Sequence, residues 1–274
     1  MKGRASNPLV VNGALIGLAL VALFPLFWMI SVSLMQPGEA ADVPPPLLPS
    51  DPTFENYLRL FGQTGMGRYF LNSLVLAVSA TALSLFFNVT AGYAFAKLRF
   101  KGRDTIFRLL LAALVIPAQV AMIPLFLMLK EMGLINTYLG VLVPTMANVF
   151  GIFLVRQYAL SVPTEMLEAA RLDGAGEIRI FASIVLPALR PIIVTLGIFA
   201  FLASWNDFLW PLIVLIDDDM YTLPVAIAAL SREHVQDAEL MMAGAVVTVL
   251  PVLFLFLGLQ RFYLRGLLLG SVKG

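Results

Sequence analysis

Apolar residues in this chain fall in long uninterrupted runs, not at the spacing of a surface helix. Six runs are long enough to cross a hydrocarbon layer of about 30 Å, which takes roughly 20 helical residues. They extend from about Leu9 to Met35, Tyr69 to Ala96, Ile106 to Leu129, Thr137 to Leu160, Pro187 to the region of Pro211, and Leu240 to Leu259. The pattern predicts six membrane-spanning helices. Lys2 and Arg4 precede the first run, as in a signal peptide. Its uncharged stretch from Asn7 to Gly38 exceeds the about 7–15 residues of a signal core, so an uncleaved span is expected.

Composition agrees with this reading. Hydrophobic residues make up 60% of the chain and charged residues 13%, against about 45–50% and 25% in soluble domains. Placement of charge sets the orientation, because Lys and Arg accumulate on cytoplasmic loops. Fourteen of the 18 cations sit at one set of span ends, from Lys2 and Arg4 through Lys97–Arg108, Arg156, Arg171, Arg179 and Arg190 to Arg261, Arg265 and Lys273; Arg59, Arg68, Lys130 and Arg232 occupy the other. Both termini are therefore expected in the cytoplasm. The outer side collects acids, among them Glu39, Asp217, Asp218, Asp219, Asp237 and Glu239.

The first outer loop, about Gln36 to Gly67, holds Pro37, Pro44, Pro45, Pro46, Pro49 and Pro52, and is expected to be an extended, stiff connector. Phe54, Tyr57, Leu58 and Phe61 then recur at helical spacing. They suit a short helix at the interface or one packed on neighbouring spans. The inner loop Lys97–Arg103 is a topology signal that anionic headgroups could also bind. The last outer loop, about Asp217 to Asp237, is expected to be solvated and to touch a partner. Its three consecutive acids lack the spacing of a calcium loop, and His234 takes no role.

Between the fourth and fifth runs lies a polar island, Ser161 to Pro187. Pro163 suits a first helical turn, and Glu165 and Glu168 lie near the positive helix end. Met166, Leu167 and Ala170 fall on one face, while Glu168 and Arg171 are spaced to pair on the other. Gly174 stands where the helix should stop. The small Ala169, Ala170 and Ala175 allow another surface to approach closely. A second helical segment, about Glu177 to Val185, leads to Pro187.

Chemistry is bounded by what is missing from the sequence. There is no cysteine and one histidine, which removes thiol catalysis and the usual zinc ligand sets. No G-x-x-x-x-G-K-[ST] is present, so the chain builds no P-loop. No cofactor, catalytic residue or metal site is expected, and energy for transport would come from another subunit or from an ion gradient.

The island reads E-A-A-x-x-D-G-A, followed by F-x-x-I-x-x-P-x-x-x-P through Phe181, Ile184, Pro187 and Pro191. This pattern resembles the signature loop of type I ABC importer permeases. Asn72-Ser73, Ala91-Gly92-Tyr93-Ala94, Ile116-Pro117-Ala118-Gln119, Ile123-Pro124-Leu125, Gly133–Thr137, Trp205–Phe208 and the tail Gly266–Gly274 extend the likeness over nearly the whole chain. Together they are similar to the smaller permease of the carbohydrate-uptake, maltose-type group. The resemblance implies an all-α polytopic fold of six helices with a cytoplasmic coupling helix. Residues 1–68 would form the first helix and outer loop, 69–262 a transmembrane domain with a coupling loop at 161–187, and 263–274 a cytoplasmic tail. It implies a second homologous permease, two ATP-binding subunits, an extracytoplasmic sugar-binding protein, membrane lipid and a carbohydrate substrate, with no nucleic acid. Glu168, Ala169, Ala170, Asp173, Gly174 and Ala175 would contact or shape the ATPase-coupling surface. The tail would reach the ATPase pair, and the last outer loop the binding protein.

Polar residues inside spans mark pathways by default, although many merely bond their own helix. The pathway candidates are Asn72, Gln119, Asn148, Asn206 and Asp207, the last expected at the cavity rim beside Trp205 and Trp210. Pro117, Pro124, Pro144, Pro191 and Pro211 can bend helices. Three alternatives stay open: a permease for a non-sugar solute, an ion-driven secondary transporter, which needs buried acids or broken helices, and an intramembrane enzyme, which the lack of paired acids or histidines disfavours.

Overall fold

An apolar segment in hydrocarbon must satisfy its own backbone N–H and C=O groups, and helix does so within a single segment. The computed structural model describes residues 8–233 and 237–271, and among these there are helices and turns and no strand. Lys2, Arg4, His234 and the tail residues Val272, Lys273 and Gly274 lie outside the described residues. In chain order the helices are α1 (Pro8–Ser33), α2 (Glu55–Gln63), α3 (Met66–Lys97), α4 (Arg103–Ala113), α5 (Ala118–Glu131), α6 (Tyr138–Leu142) and α7 (Val149–Leu160). There follow α8 (Thr164–Leu172), α9 (Glu177–Ile180), a π-helical turn at Phe181–Val185, α10 (Leu186–Ala188), α11 (Arg190–Trp205), α12 (Leu209–Val214), α13 (Leu223–Glu233) and α14 (Ala238–Ser271).

Three of the six apolar runs are continuous helices: Leu9–Ser33, Met66–Lys97 and Ala238–Gly258. The other three are broken. Arg103–Ala113 and Ala118–Glu131 meet at 105°, Tyr138–Thr145 and Val149–Leu160 at 42°, and Glu177–Ala188 and Arg190–Trp205 at 78°. Prolines mark these breaks incompletely. Pro117 stands at the first, in extended backbone before α5. Pro124 and Pro251 lie inside α5 and α14 without ending them. The predicted fifth span does not reach Pro211 as one helix: α11 ends at Trp205 and Pro211 belongs to the separate α12. The sixth run continues as helix beyond Leu259, through Ser271.

Contacts divide the chain into two units. One comprises the residues up to Gly67 with Ala226–Pro251, the other Arg68–Val225 with the residues from Val252 onward. In the first, α2 is tied to the end of α1. The Asn56 amide donates to the carbonyls of Ser33 (3.1 Å) and Met35 (2.8 Å), and the Ser33 and Tyr57 hydroxyls bond at 2.8 Å. Phe54, Leu58 and Phe61 are exposed, so this apolar face is not enclosed by the spans of the chain itself. The proline-rich segment is not extended. Thr53 N donates to Leu34 O at 2.8 Å, and Glu39 accepts from the N–H groups of Ser50 (2.7 Å) and Gln36 (2.9 Å). Those two donors hold the Glu39 carboxyl below the ordinary carboxylate range. Two acids of the outer side are structural: Asp237, from the segment expected to be solvated, pairs with Arg59 at 2.6 Å, and Glu239, buried, accepts from Ala40 N at 2.8 Å.

The last outer segment also departs from expectation. Much of it is α13, whose Leu223, Val225, Ala226 and Leu230 are buried. Small apolar residues made a helix in a segment that its acids had marked as a solvated loop.

In the second unit α3 is the central rod. Its Val89, Tyr93 and Ala96 pack with Val155, Ala159, Val162, Leu167, Ile180 and Leu189. Gly92 lets α7 come close: a Cβ there would lie 2.6 Å from Val155 Cγ1. Trp205 is buried, with the Phe201 ring stacked on it at 5.7 Å and the Phe70 edge at 5.7 Å. Trp210 is buried too and donates its indole N–H to Gly140 O at 3.2 Å.

Replacing Gly92 by valine should overpack this contact and lower stability by about 1–3 kcal/mol. Gly62, a helical glycine whose Cβ would meet nothing within 4 Å, should accept alanine without loss. Thermal unfolding of the two variants in detergent checks the contrast.

Candidate functional site

Local chemistry defines α8 at both ends. Pro163 stands one residue before the first turn, in extended backbone, not inside it, and Glu165 occupies that turn. At the other end Gly174 has φ 81°, a conformation that costs glycine little. Gly174 N donates to Arg171 O at 3.0 Å and Ala175 N to Ala170 O at 2.9 Å. This pair of reversed bonds is the Schellman motif. It turns the chain sharply and brings Ala175 back beside Ala170, where both pack on the core of the second unit.

Leu167 is the one residue of α8 that is fully enclosed, and Ala170 is half-buried. Met166, expected on the same face, is 50% exposed, since its neighbour in sequence points about 100° away around the helix. Glu168, Ala169, Asp173 and Gly174 are exposed. Leu172 and Ile178 are 89% and 86% exposed. The outward surface of the island is thus small, acidic and apolar residues side by side. A groove of about 250 Å³ opens next to it, lined by Ala170, Asp173, Ala175, Arg179, Ser183 and Ile184 among others.

Three tethers join this surface to α3. Lys97 Nζ donates to Val162 O at 2.6 Å. The Tyr93 hydroxyl donates to Glu177, and the Tyr93 ring lies 5.1 Å from that of Phe181. Glu177 in turn takes the Arg171 guanidinium, at 3.2 to 3.3 Å to both carboxylate oxygens. Arg171 therefore pairs with Glu177 and not with Glu168. A carboxylate already fixed by a tyrosine is a better partner for a planar guanidinium than a mobile one a turn away. Tyr93 and Glu177 were not singled out by sequence reasoning; they are 84 positions apart, and only the Ala91–Ala94 pattern hinted at the first. Leu172 and Ile178 were also missed, for they occupy variable places in the pattern.

Of the five pathway candidates Asn206 and Asp207 adjoin in sequence, and no hydrogen bond joins any two of the five among the described residues. Asn72 gives its amide to Asp219 O (2.9 Å) and Tyr221 O (3.0 Å) and accepts from Tyr138 OH at 2.7 Å. Asn148 caps α7, accepting from Phe150 N at 2.9 Å and Gly151 N at 3.3 Å. Asn206 folds back on Leu202 O at 2.8 Å. Asp207, half-buried, accepts from the N–H of Trp210, the second residue of α12, at 3.4 Å. Gln119 is exposed beside the 105° bend. An ion-driven carrier needs broken helices lined by carboxylates. The breaks are here, but no acid stands in any of the three, and Asp207 lies apart from them between α11 and α12. Among the described residues no cluster of acids and histidines could hold a metal ion.

Comparison with known proteins places this architecture. Residues 88–268 match the family described as the binding-protein-dependent transport system inner membrane component. The chain belongs to that family, whose members are non-catalytic permease subunits. It is 38% identical over 260 residues to the arabinooligosaccharides transport system permease protein AraQ of Halalkalibacterium halodurans, covering 94% of this chain and 93% of that protein. It is 32% identical to the lactose transport system permease protein LacG of Rhizobium radiobacter, covering 98% of each. A crystal structure of a bacterial ABC transporter involved in the import of the acidic polysaccharide alginate includes a chain of the same fold, with TM-score 0.83, 25% identity and coverage of 93% and 95%.

Changing Tyr93 to phenylalanine should free Glu177 and loosen the island while leaving the spans intact. We expect amide exchange over residues 175–180 to rise about tenfold, with a global loss of only about 1–2 kcal/mol. Hydrogen–deuterium exchange mass spectrometry of the purified chain measures both; unchanged exchange would show that the tether is idle.

Proposed function

We propose that this chain is one of two permease halves in an ATP-driven importer of a sugar or oligosaccharide. A second homologous permease completes the pathway, two ATP-binding subunits supply energy, and an extracytoplasmic binding protein delivers the solute. The asymmetry of Lys and Arg supports cytoplasmic termini and a cytoplasmic island. The names of the relatives, one an arabinooligosaccharide and one a lactose permease, support a carbohydrate.

The observation that carries the coupling reading is the tethering of α8 and α9 to the end of α3 through Val162, Leu167, Glu177 and Ile180. An ATPase groove closing on Glu168, Ala169, Asp173 and Gly174 would push a body that cannot slide independently of α3 and α7. Displacement then passes along α3, which at 32 residues is about 48 Å long. It also passes through the 78° bend into α11. Rocking of these rods would close the pathway on one face and open it on the other. Of the pathway candidates, Gln119 is the one whose side chain makes no hydrogen bond among the described residues, so it is the first to examine for solute contact.

Gly174 gives the decisive test. Valine cannot take φ 81° without strain, whereas asparagine tolerates the left-handed region. In proteoliposomes holding the co-purified complex, Gly174→Val should cut ATP-driven oligosaccharide uptake at least about tenfold, and Gly174→Asn should restore most of it. Uptake driven by an ion gradient from a preparation carrying no ATPase would refute the reading.

A further inference from the structure

The segment joining α3 to α4 forms an open cavity of about 550 Å³, distinct from the groove beside the island and lined by Arg99, Phe100, Gly102, Arg103, Asp104 and Arg108 among others. Residues 99–108 carry four cations, Arg99, Lys101, Arg103 and Arg108, against one carboxylate, Asp104. That carboxylate is engaged: it takes Arg103 Nε at 3.1 Å. Two of the guanidinium groups are oriented by backbone carbonyls. Arg103 donates to Leu98 O at 3.3 Å and Arg108 to Asp104 O at 3.2 Å through its Nε, which leaves both terminal nitrogens of Arg108 open. Arg99 makes no ion pair among the described residues. Gly102, with φ 81°, precedes α4 and offers no side-chain cap, so the first turn adds its own positive end to the cavity.

A second feature starts where the cavity ends. Ile106 and Leu109, three apart on α4, are 45% and 67% exposed, and Phe100 is 43% exposed at the mouth. A basic cavity continued by an apolar stripe is complementary to one kind of molecule, an amphiphile with an anionic head. A soluble anion would leave the stripe uncovered, and an acidic protein surface would bury it only by leaving the lipid side.

We infer that this cavity binds the phosphodiester headgroup of an anionic membrane phospholipid, with an acyl chain along Ile106 and Leu109. The inference does not depend on which solute the permease carries or on the action of the island. It ties the α3–α4 turn, and hence the end of α3 that bears the island, to the composition of the adjoining leaflet.

The test uses the full-length chain in detergent, titrated with phosphatidylglycerol and followed by native mass spectrometry. Arg99→Gln with Arg108→Gln should weaken phosphatidylglycerol binding roughly ten- to thirty-fold, since each basic residue near a lipid headgroup counts for about a factor of five. Arg99→Lys with Arg108→Lys should retain most binding, and an unchanged helical circular-dichroism spectrum of the doubly glutamine-substituted chain guards against a folding defect in it. Phosphatidylcholine should bind weakly to all. Equal loss in Lys130→Gln, on α5, would overturn the site by showing general charge attraction. Competition by millimolar inorganic phosphate would overturn the lipid assignment in favour of a free anion. A photo-crosslinking residue at Thr105 in the membrane-extracted complex should yield a phospholipid adduct; an adduct with another subunit would overturn the proposal.

Discussion

Three of the six apolar segments are broken, and every break frees N–H and C=O groups that hydrocarbon cannot satisfy. The positions of the polar side chains follow from that requirement. Asn148 caps the first turn of α7, and the buried Asn88 accepts from Asn148 N at 2.9 Å. Asn136, in the left-handed region at φ 57°, accepts from Ile216 N (2.9 Å) and Asp217 N (3.0 Å) and donates to Asp217 at 2.7 Å. Asn72 closes the groups around Asp219, Tyr221 and Tyr138. Asparagine does most of this work because one short amide carries both donor and acceptor. Of the three bends, the 42° one is served in this way, by Asn148 and by Asn88 of α3, while Asn136 and Asn72 tie segments between helices and the other two bends close with backbone turns such as Val115 N to Ala112 O and Leu189 N to Val185 O.

The same economy governs the island. A nine-residue helix is too short to hold its shape alone in water. Its order comes from the reversed bonds at Gly174 and from the apolar seat beneath Leu167. Because Glu177 is shared between Tyr93 and Arg171, the helix, the following turn and α3 form one mechanical piece. The π-helical turn at Phe181–Val185 and the 78° bend after it join that piece to α11.

Legibility in the sequence tracked the range of each interaction. Six spans were readable because hydrophobicity is summed over neighbours. The end of α8 was readable because glycine at the stop is a local signal. Tyr93–Glu177 was not, since nothing within a few residues of either announces the other. Arg171 was assigned to Glu168 by spacing, yet a prepared carboxylate elsewhere won it. Asn148 and Asp207, pathway candidates by residue type, also stand at helix starts, a structural use that sequence does not show without knowing where the helices break. Pro117 coincides with a break and Pro124 does not, so the residue permits a bend that tertiary partners decide. The α13 segment was obscured by the acids in front of it.

The aromatic arrangement around α11 and α12 has an experimental consequence. The chain holds 3 tryptophans. Two of them, Trp205 and Trp210, are buried, one in an aromatic stack and the other bonded to the backbone of α6. Any tilt of α11 against α3 or α6 must change the surroundings of the Trp205 indole between Phe201 and Phe70 or break the Trp210 indole bond, and either shifts the emission. With Trp28 replaced by phenylalanine, the native emission spectrum becomes a label-free readout of that tilt, usable in stopped flow while the transporter turns over.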